Sequence, residues 1–589
     1  MTNDRSKNLY KQLTFGLLLA YVAIPFFIKN LYYLHLFELA AIYIIVVSGL
    51  SVVTGCAGQV SLGHAGLVAI GAYASAILTV NYHFSFWQAL PVSALLAAVF
   101  GAFLGIPSLR VGGPYLALIT IAFNFLIDKI ILAWPGMTGA AAGKWGIRLP
   151  SLGNYAFSHT AYYGLMIGTA LLTMLFCRNV IRSKWGMAFN ALRNDEILAK
   201  TSGVNIYHAK LVAFVISAFF AGIGGSLWAH LHSYISPEAF RFDRSVLLLL
   251  MLLVGGQRSI LGPLVGAVIL TALPEFLHGI EEYRLIIYGV ALVVCVILMP
   301  EGLMGMIRER LKIVPEIPVI SKEKQELHVP FEGTADDFLK VVHVSKYFEG
   351  VCAVDSVDIN VSRGSVHSLI GPNGAGKTTM VNLITGVQRI NDGEIRFKKD
   401  RIDRLSPHQI TQKGITRTFQ NVRLFKDMTV LENVVVGRHC RMKSGVLAAA
   451  FRLPKARKHE KEAIQKAMGL LEMLGLAGKA NELVTNLSHG HQHTVEIARA
   501  LMNDPELVFL DEPATGLHAE EIEQLELMIQ DIKKAGITVF LIEHYVDFVM
   551  NISDTVTVFD FGKKIAEGTP HEVQSDRKVI EAYLGVEHP

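Results

Sequence analysis

Gly371-Pro372-Asn373-Gly374-Ala375-Gly376-Lys377-Thr378 is the stretch on which the reading of this chain turns. It follows G-x-x-x-x-G-K-[ST], the spacing of a phosphate-cradling loop. An apolar run ending at Ile370 precedes it, as a buried strand would, and Thr379-Met380-Val381-Asn382-Leu383-Ile384-Thr385 suits a helix. Strand, loop and helix in that order are the context the motif demands. The glycines let successive backbone N–H groups turn toward one anion, and the helix start adds partial positive charge. On this reading the octamer and Thr379 line a phosphate site, with Lys377 on the terminal phosphates and Thr378 on Mg²⁺. A plain glycine-rich turn would leave the Lys-Thr pair without a reason.

Further along the chain the matching chemistry arrives in order. Gln420 lies in Thr418-Phe419-Gln420-Asn421. Leu487-Ser488-His489-Gly490-His491-Gln492 opens a helical stretch that continues to Leu501. Two apolar strands follow. Leu507–Leu510 runs into Asp511-Glu512, and Val539–Ile542 runs into Glu543-His544. Strand ends are where an open α/β sheet holds its ligand. Asp511 is placed to hold Mg²⁺ through water, and Glu512 to polarise an attacking water. His544 contacts the outer phosphate, and Gln420 senses metal and water. Upstream, Lys346-Tyr347-Phe348-Glu349-Gly350 offers an aromatic ring to stack on a base, or merely to fill the core.

The half before the loop is different. The chain has 589 residues, 52% hydrophobic and 18% charged, and a formal charge of +4. That charge gives no case for nucleic acid. The mean hydropathy of +0.40 averages two unlike halves, apolar to about Pro300 and polar α/β beyond about Lys322. Apolar runs fall at Leu13–Ile28, Leu31–Val53, Ser61–Val80, Trp87–Ile106, Pro114–Trp134, Ala161–Cys177 and Ala209–His232. Others fall at Ser245–Val254, from Gly262 to Leu273, and at Leu285–Met299. About 20 apolar residues cross a bilayer as a helix, so a multi-pass membrane domain is expected. The N-terminal run carries no cleavage-like site and is expected to stay as a span.

Lys and Arg favour the cytoplasmic side in short loops. Arg5, Lys7 and Lys11 precede the first run, Arg178 to Lys200 form a basic loop, and Arg308, Arg310 and Lys312 follow the last. Both ends are therefore expected inside, which demands an even number of crossings. Ten is the expectation, with eight as the alternative. The breaks Gly55-Cys56-Ala57-Gly58-Gln59 and Ser61–Gly66 read either as walls of a wet path or as close small-residue packing. His64 is flagged by its apolar surroundings. Glu38 is expected at an interface beside Tyr32, Tyr33 and His35. Trp185 to Gly203 carries helical apolar spacing at Ala188, Leu192 and Leu198, which suits docking on another domain. Residues 313–338 contain Pro315, Pro318 and Pro330 and read as an extended tether. The expected domains are thus a membrane domain over 1–312, a linker over 313–338 and a soluble domain over 339–589. The five cysteines are scattered without a C-x-x-C, so neither a disulfide framework nor a zinc site is expected.

At these residues the chain resembles the ATP-binding-cassette (ABC) transporters. Leu487–His491 looks like their LSGGQ signature. Thr416–Phe425, the basic insert Phe451–Arg457, Leu541–His544, Glu567–Pro570 and Glu581–Gly585 resemble the LivG-type ATPase of branched-chain amino-acid uptake. Gly55–His64, Pro114–Leu118, Arg193–Glu196, Ile235–Glu238, Gly255-Gly256, Leu261–Pro263 and Pro300–Gly302 resemble the LivM-type permease of that system. The resemblance implies a natural fusion: an all-α polytopic membrane domain followed by an α/β P-loop cassette with a helical subdomain. It implies ATP and Mg²⁺ as cofactors. Phe348 matches the adenine-stacking aromatic, Gln420 the Q-loop glutamine, Glu512 the catalytic glutamate and His544 the switch histidine. Ser488 and Gly490 match the signature residues that cap ATP on a partner cassette. His491 stands where Gln is usual, His518 where Asp or Asn is usual, and His493 where Arg is common.

The implied activity is import of branched-chain amino acids or related solutes across the cytoplasmic membrane, driven by ATP hydrolysis. The implied partners are a second permease, a second ATPase and a soluble substrate-binding protein, or else a second copy of this chain. Urea, short-chain amides and aromatic acids are the alternative cargoes. An exporter half-transporter and a membrane ATPase that transports nothing are the alternative classes.

Overall fold

The computed structural model describes residues 30–108, 113–153, 155–276, 283–310 and 338–584, with Gly16, Tyr21, Ala23 and Val111. The expected first span, apart from Gly16, Tyr21 and Ala23, lies outside them. So do Arg5, Lys7, Lys11, Lys312 and the tether up to residue 337. The chain divides into two compact units. One comprises Met1–Arg193, Tyr207–Pro315 and Val446–Leu453, and the other Asn194–Ile206, Glu316–Gly445 and Pro454–Pro589.

The first unit is helical. Five helices among the described residues are long and apolar enough to cross a bilayer: Leu31–Cys56, Phe86–Ser108, Pro114–Ala133, His159–Ile181 and Ile206–His232. Shorter apolar helices cover His64–Val80, Phe242–Gly255, Gly262–Phe276 and Arg284–Leu298. Their buried faces carry large side chains such as Ile44, Tyr162 and Phe214, with glycines where helices approach most closely. A Cβ on Gly71 would meet the backbone of Gly222, and one on Gly225 would meet Val68. Such approaches let helices pack without large side chains between them.

The expected break near Gly55 is present and has a specific form. The α-helix Leu31–Leu50 widens into a π-helical turn over Ser51–Cys56. Gly55 is needed there because a Cβ would strike the Gln257 carbonyl. Arg193 caps the turn by donating to the Gly55 carbonyl. The chain restarts as a helix at His64, which is fully buried; its Nδ1 lies 2.9 Å from Ser61 Oγ and its Nε2 2.6 Å from Ser217 Oγ. Glu38 lies beside His35, one of the neighbours expected for it. Tyr32 and Tyr33 are exposed near it, but the Glu38 carboxylate turns inward, 3.5 Å from His35 and 4.0 Å from His159.

The second unit is an α/β cassette. A six-stranded sheet runs in the order Ile415–Arg417, Leu507–Asp511, Thr538–Ile542, Val366–Ile370, Thr555–Asp560, Lys563–Gly568, parallel except for the last pair. Leu507–Asp511, Thr538–Ile542 and Val366–Ile370 are buried at every position. That explains why apolar residues dominate them, since a parallel sheet is covered on both faces; the buried His367 and Ser368 are polar exceptions, bonded to Thr557 and Ser553. A second sheet, antiparallel, orders Val351–Val361, Leu339–Phe348, Asp392–Phe397 and Asp400–Arg401. Helices Val430–Val436, Pro454–Met473 and His489–Leu501 form the helical part. The segment Asn194–Ile206 belongs to this unit. Thr411 Oγ1 donates to the Thr201 carbonyl (2.9 Å) and Arg423 pairs with Asp195 (3.1 Å).

Candidate functional site

The carboxyl ends of the central strands bring the expected residues together. Gly371–Gly376 turns tightly after the strand Val366–Ile370. Gly374 and Gly376 take left-handed φ values of 85° and 95°, which a side chain would resist. The helix Lys377–Ile384 begins at once, with Asn373, Gly374 and Thr378 exposed on the rim. Lys377 is buried. Its ammonium donates to the carbonyls of Gly371 (2.7 Å) and Pro372 (3.0 Å). Burial pulls its pKa down, while Glu512 and Asp511 push it back up.

Asp511 ends the strand two places away in the sheet and is almost wholly buried. Burial pushes its carboxyl up to about 6, against the pull of Arg417. Arg417 holds one oxygen, with Nη2 to Oδ2 at 3.3 Å. Among the described residues nothing hydrogen-bonds the other, buried Oδ1. A buried carboxylate oxygen without a donor calls for a cation or an ordered water. With the exposed Thr378 hydroxyl and the Gln420 amide, this oxygen makes an all-oxygen set of the kind Mg²⁺ takes. The residues therefore fit that ion.

Glu512 follows with φ at 49°, a left-handed conformation rare outside glycine. Its N–H donates to the Ile542 carbonyl (2.8 Å), which fixes the turn. Its Oε2 accepts from Gln420 Nε2 (3.1 Å) and lies 3.7 Å from His544 Nδ1. The three residues named from the sequence as catalytic thus meet at one carboxylate oxygen. His544 is exposed, and its N–H donates to Glu543 Oε2 (3.1 Å).

The remaining expected residues lie elsewhere on the same unit. Phe348 is exposed at the end of its strand, with Lys346 Nζ 4.9 Å above the ring. Ser488 caps the helix His489–Leu501, and its hydroxyl lies 2.7 Å from His491 Nδ1. A Cβ on Gly490 would meet the Glu521 carboxylate, which also accepts from the His518 N–H (3.0 Å). His489 and His493 meet edge-on with ring centroids 4.8 Å apart, while His491 turns to Ser488.

Two functional residues were not singled out from the sequence. Arg417 is buried and ties Asp511 to the phosphate-loop helix, donating to Asn382 Oδ1 (2.7 Å) and Thr385 Oγ1 (3.1 Å). Its signal was weak, an arginine closing the short buried strand Ile415–Arg417, a position tolerated only with partners. Glu543 is fully buried and accepts from the Ala514 N–H (2.8 Å), holding the turn after Glu512.

Comparison with known proteins decides the family. A profile described as the permease component of the branched-chain amino acid transport system matches residues 32–296. One described as ABC transporter matches 354–515, and one described as branched-chain amino acid ATP-binding cassette transporter matches 563–589. BraF of Pseudomonas aeruginosa, a high-affinity branched-chain amino acid transport ATP-binding protein, is 42% identical over 248 residues. That alignment covers 42% of this chain and 97% of BraF. The chain belongs to the branched-chain amino acid ABC transporter family. LivG of Escherichia coli is 40% identical, covering 40% of this transporter and 94% of LivG. The permease protein LivM of Escherichia coli is 34% identical over 322 residues, 51% of this transporter and 76% of LivM. The transporter thus carries in one chain a permease and a cassette that couples ATP hydrolysis to transport. Its membrane half makes it a membrane protein, and transporters of this type work with further permease and ATPase subunits.

Proposed function

We propose that this chain is the permease-and-ATPase subunit of an importer of branched-chain amino acids in the cytoplasmic membrane, with its N-terminus and cassette in the cytoplasm. The observation that carries the reading is the meeting of Gln420, Glu512 and His544 on one carboxylate oxygen, in a chain whose other half is LivM-like. A soluble binding protein delivers the solute, and a second ATPase supplies the facing signature; a second copy of this chain is the alternative assembly.

The residues divide the work as follows. The glycine-rich turn presents backbone N–H groups to the phosphates of ATP. Lys377 exchanges its two carbonyl partners for phosphate oxygens. Phe348 offers its exposed face to adenine. Asp511 Oδ1, Thr378 and Gln420 would hold Mg²⁺, which when bound would screen the charge of the phosphates. Glu512 accepts the proton of the attacking water, Gln420 orients that carboxylate, and His544 faces the outer phosphate. Ser488 and Gly490 cap the nucleotide held by a partner cassette.

Movement leaves the cassette through Asn194–Ile206. Arg193 grips the Gly55 carbonyl in the membrane unit, and Asp195, two residues on, pairs with Arg423 in the cassette. Arg423 lies over the Phe419 ring, whose neighbour in sequence is Gln420. A shift at the phosphate site therefore has a short covalent and ionic route to the broken helix.

The test is Glu512→Gln in the assembled transporter in proteoliposomes. ATP turnover is expected to fall by about 10²- to 10⁴-fold, with ATP still bound and uptake of leucine, isoleucine and valine lost with it. Turnover at the parent rate would overturn the catalytic assignment. Uptake of urea or an amide in place of leucine would overturn the substrate.

A further inference from the structure

The insert Phe451–Arg457 is not used by the nucleotide chemistry. Its first residues, with those before them, form the segment Val446–Leu453, which belongs to the membrane unit. The segment is a short helix, Val446–Ala450, that turns at Arg452 with a left-handed φ of 49°. Ala449 and Ala450 are buried. The Ala450 carbonyl accepts from Asn179 Nδ2 at 2.7 Å, and Phe451 meets the Phe176 ring edge-on at 6.3 Å. Both partners lie near the end of the membrane-crossing helix His159–Ile181.

That contact sets a depth. At 1.5 Å per residue, Phe176 lies about 26 Å and Asn179 about 30 Å along the helix from His159. A hydrocarbon core is about 30 Å thick. The segment therefore sits where acyl chains give way to headgroups, on the side marked by Arg178 and Arg182. There it leaves Leu447, Phe451 and Leu453 exposed at 65%, 70% and 49%. Water would penalise three such side chains together, and a bilayer boundary would welcome them. The charge agrees. Between Arg438 and Lys461 every Lys, Arg, Asp or Glu except Glu460 is basic. Arg452, Lys455, Arg457 and Lys458 are all exposed. Apolar and aromatic residues beside a basic run are the composition of an interfacial anchor on anionic lipid.

We propose that Val446–Leu453 is a membrane-surface anchor contributed by the cassette sequence. Leu447, Phe451 and Leu453 enter the acyl boundary beside His159–Ile181. Arg452 meets anionic phospholipid headgroups. The proposal rests on the membrane reading of His159–Ile181, and its test keeps the two apart.

A nitroxide is placed at Leu447→Cys in the full-length chain, with Cys352 and Cys440 changed to serine, in nanodiscs of neutral or anionic phospholipid. Control labels sit at Leu172→Cys, an exposed position on the same membrane helix, and at Lys458→Cys. Collision with oxygen reports lipid, and collision with a nickel chelate reports water. The expected result is a Leu447 label that favours oxygen, as the Leu172 label does, more strongly in anionic discs, with Arg452→Glu weakening that preference. A Leu447 label as open to nickel as a water-exposed control overturns the anchor. One shielded from both reagents also overturns it, in favour of a protein partner. Indifference to lipid charge and to Arg452→Glu overturns the headgroup contact. A Leu172 label open to nickel would instead overturn the membrane reading. Phe451→Ser, a surface change, is expected to lower ATP turnover in anionic discs and not in detergent; equal turnover in both settings would also count against the anchor.

Discussion

Arg417 explains how Asp511 keeps a charge where almost none of it reaches solvent. The guanidinium holds one carboxylate oxygen, and among the described residues nothing hydrogen-bonds the other. Removing one member of a buried ion pair strands its partner, at a cost of about 3–5 kcal/mol. Arg417→Met is therefore expected to destabilise the cassette by that order, measured by denaturant unfolding with nucleotide absent. A loss within the error of the measurement would sink the assignment. A second residue-level expectation concerns acid. Burial, with His489 close by, pulls His493 down from 6.5 to about 4, against a small opposing pull from Glu521. The unfolded chain then binds a proton that the fold refuses. Stability from this group is full above about 6.5 and is lost as pH falls toward about 4, on the order of 3 kcal/mol in all. His493→Gln should flatten the melting temperature across that window relative to the parent. Parallel curves for the two proteins would exclude His493 as the source. The phosphate loop was legible from the sequence because a glycine-rich turn and a Lys-Thr pair carry their own geometry. Arg417 was not, because its partners come from the helix at Asn382 and the strand at Asp511, far away in the chain.

At the level of elements the strands ending in Asp511 and in Ile542 fall within a residue of the apolar runs that announced them. Unbroken apolar runs bounded by acids leave little choice of ends. The described membrane helices also start and stop within a few residues of the apolar runs that announced them. The π-turn at Ser51–Cys56 was legible only as a break, because its shape depends on the Gln257 carbonyl and on Arg193. Likewise Trp185 to Gly203 was readable as amphipathic, but its division at Arg193 was not. The helix Lys184–Asn194 lies mostly in one unit, and Glu196–Thr201 lies in the other. The pair Asp195–Arg423 is partly exposed and is worth at most about 1 kcal/mol of stability. Its loss should leave the fold intact and strike the coupling. Asp195→Arg is expected to cut solute moved per ATP by about fivefold, equivalent to about 1 kcal/mol of coupling. Adding Arg423→Asp should restore part of it. Uptake and ATP turnover measured in the same proteoliposomes give the ratio. An unchanged ratio would mean that the segment transmits nothing through this pair.

At the level of the whole molecule the cassette carries one phosphate loop and one signature-like turn, and on the proposed reading they serve different sites. Ser488→Arg should therefore leave ATP binding to this chain's Lys377 site intact, read with a fluorescent nucleotide on the isolated subunit. In the assembled transporter it should lower turnover at the partner's site. If binding to the isolated subunit collapsed instead, Ser488 would belong to its own phosphate loop and the composite site would be wrong.

Each compact unit is finished by a short stretch from the other half of the chain, Asn194–Ile206 in one case and Val446–Leu453 in the other. On a ribosome this has a temporal meaning. At 5–20 residues per second, the interval between the synthesis of Pro315 and that of Leu453 is on the order of ten seconds. For that time the membrane helices stand inserted without their last piece, while Asn194–Ile206 waits for a cassette that does not yet exist. The membrane-unit surface that Val446–Leu453 will cover and the segment Asn194–Ile206 itself are bare for that interval, and it is then that a chaperone or a second nascent chain has access to them.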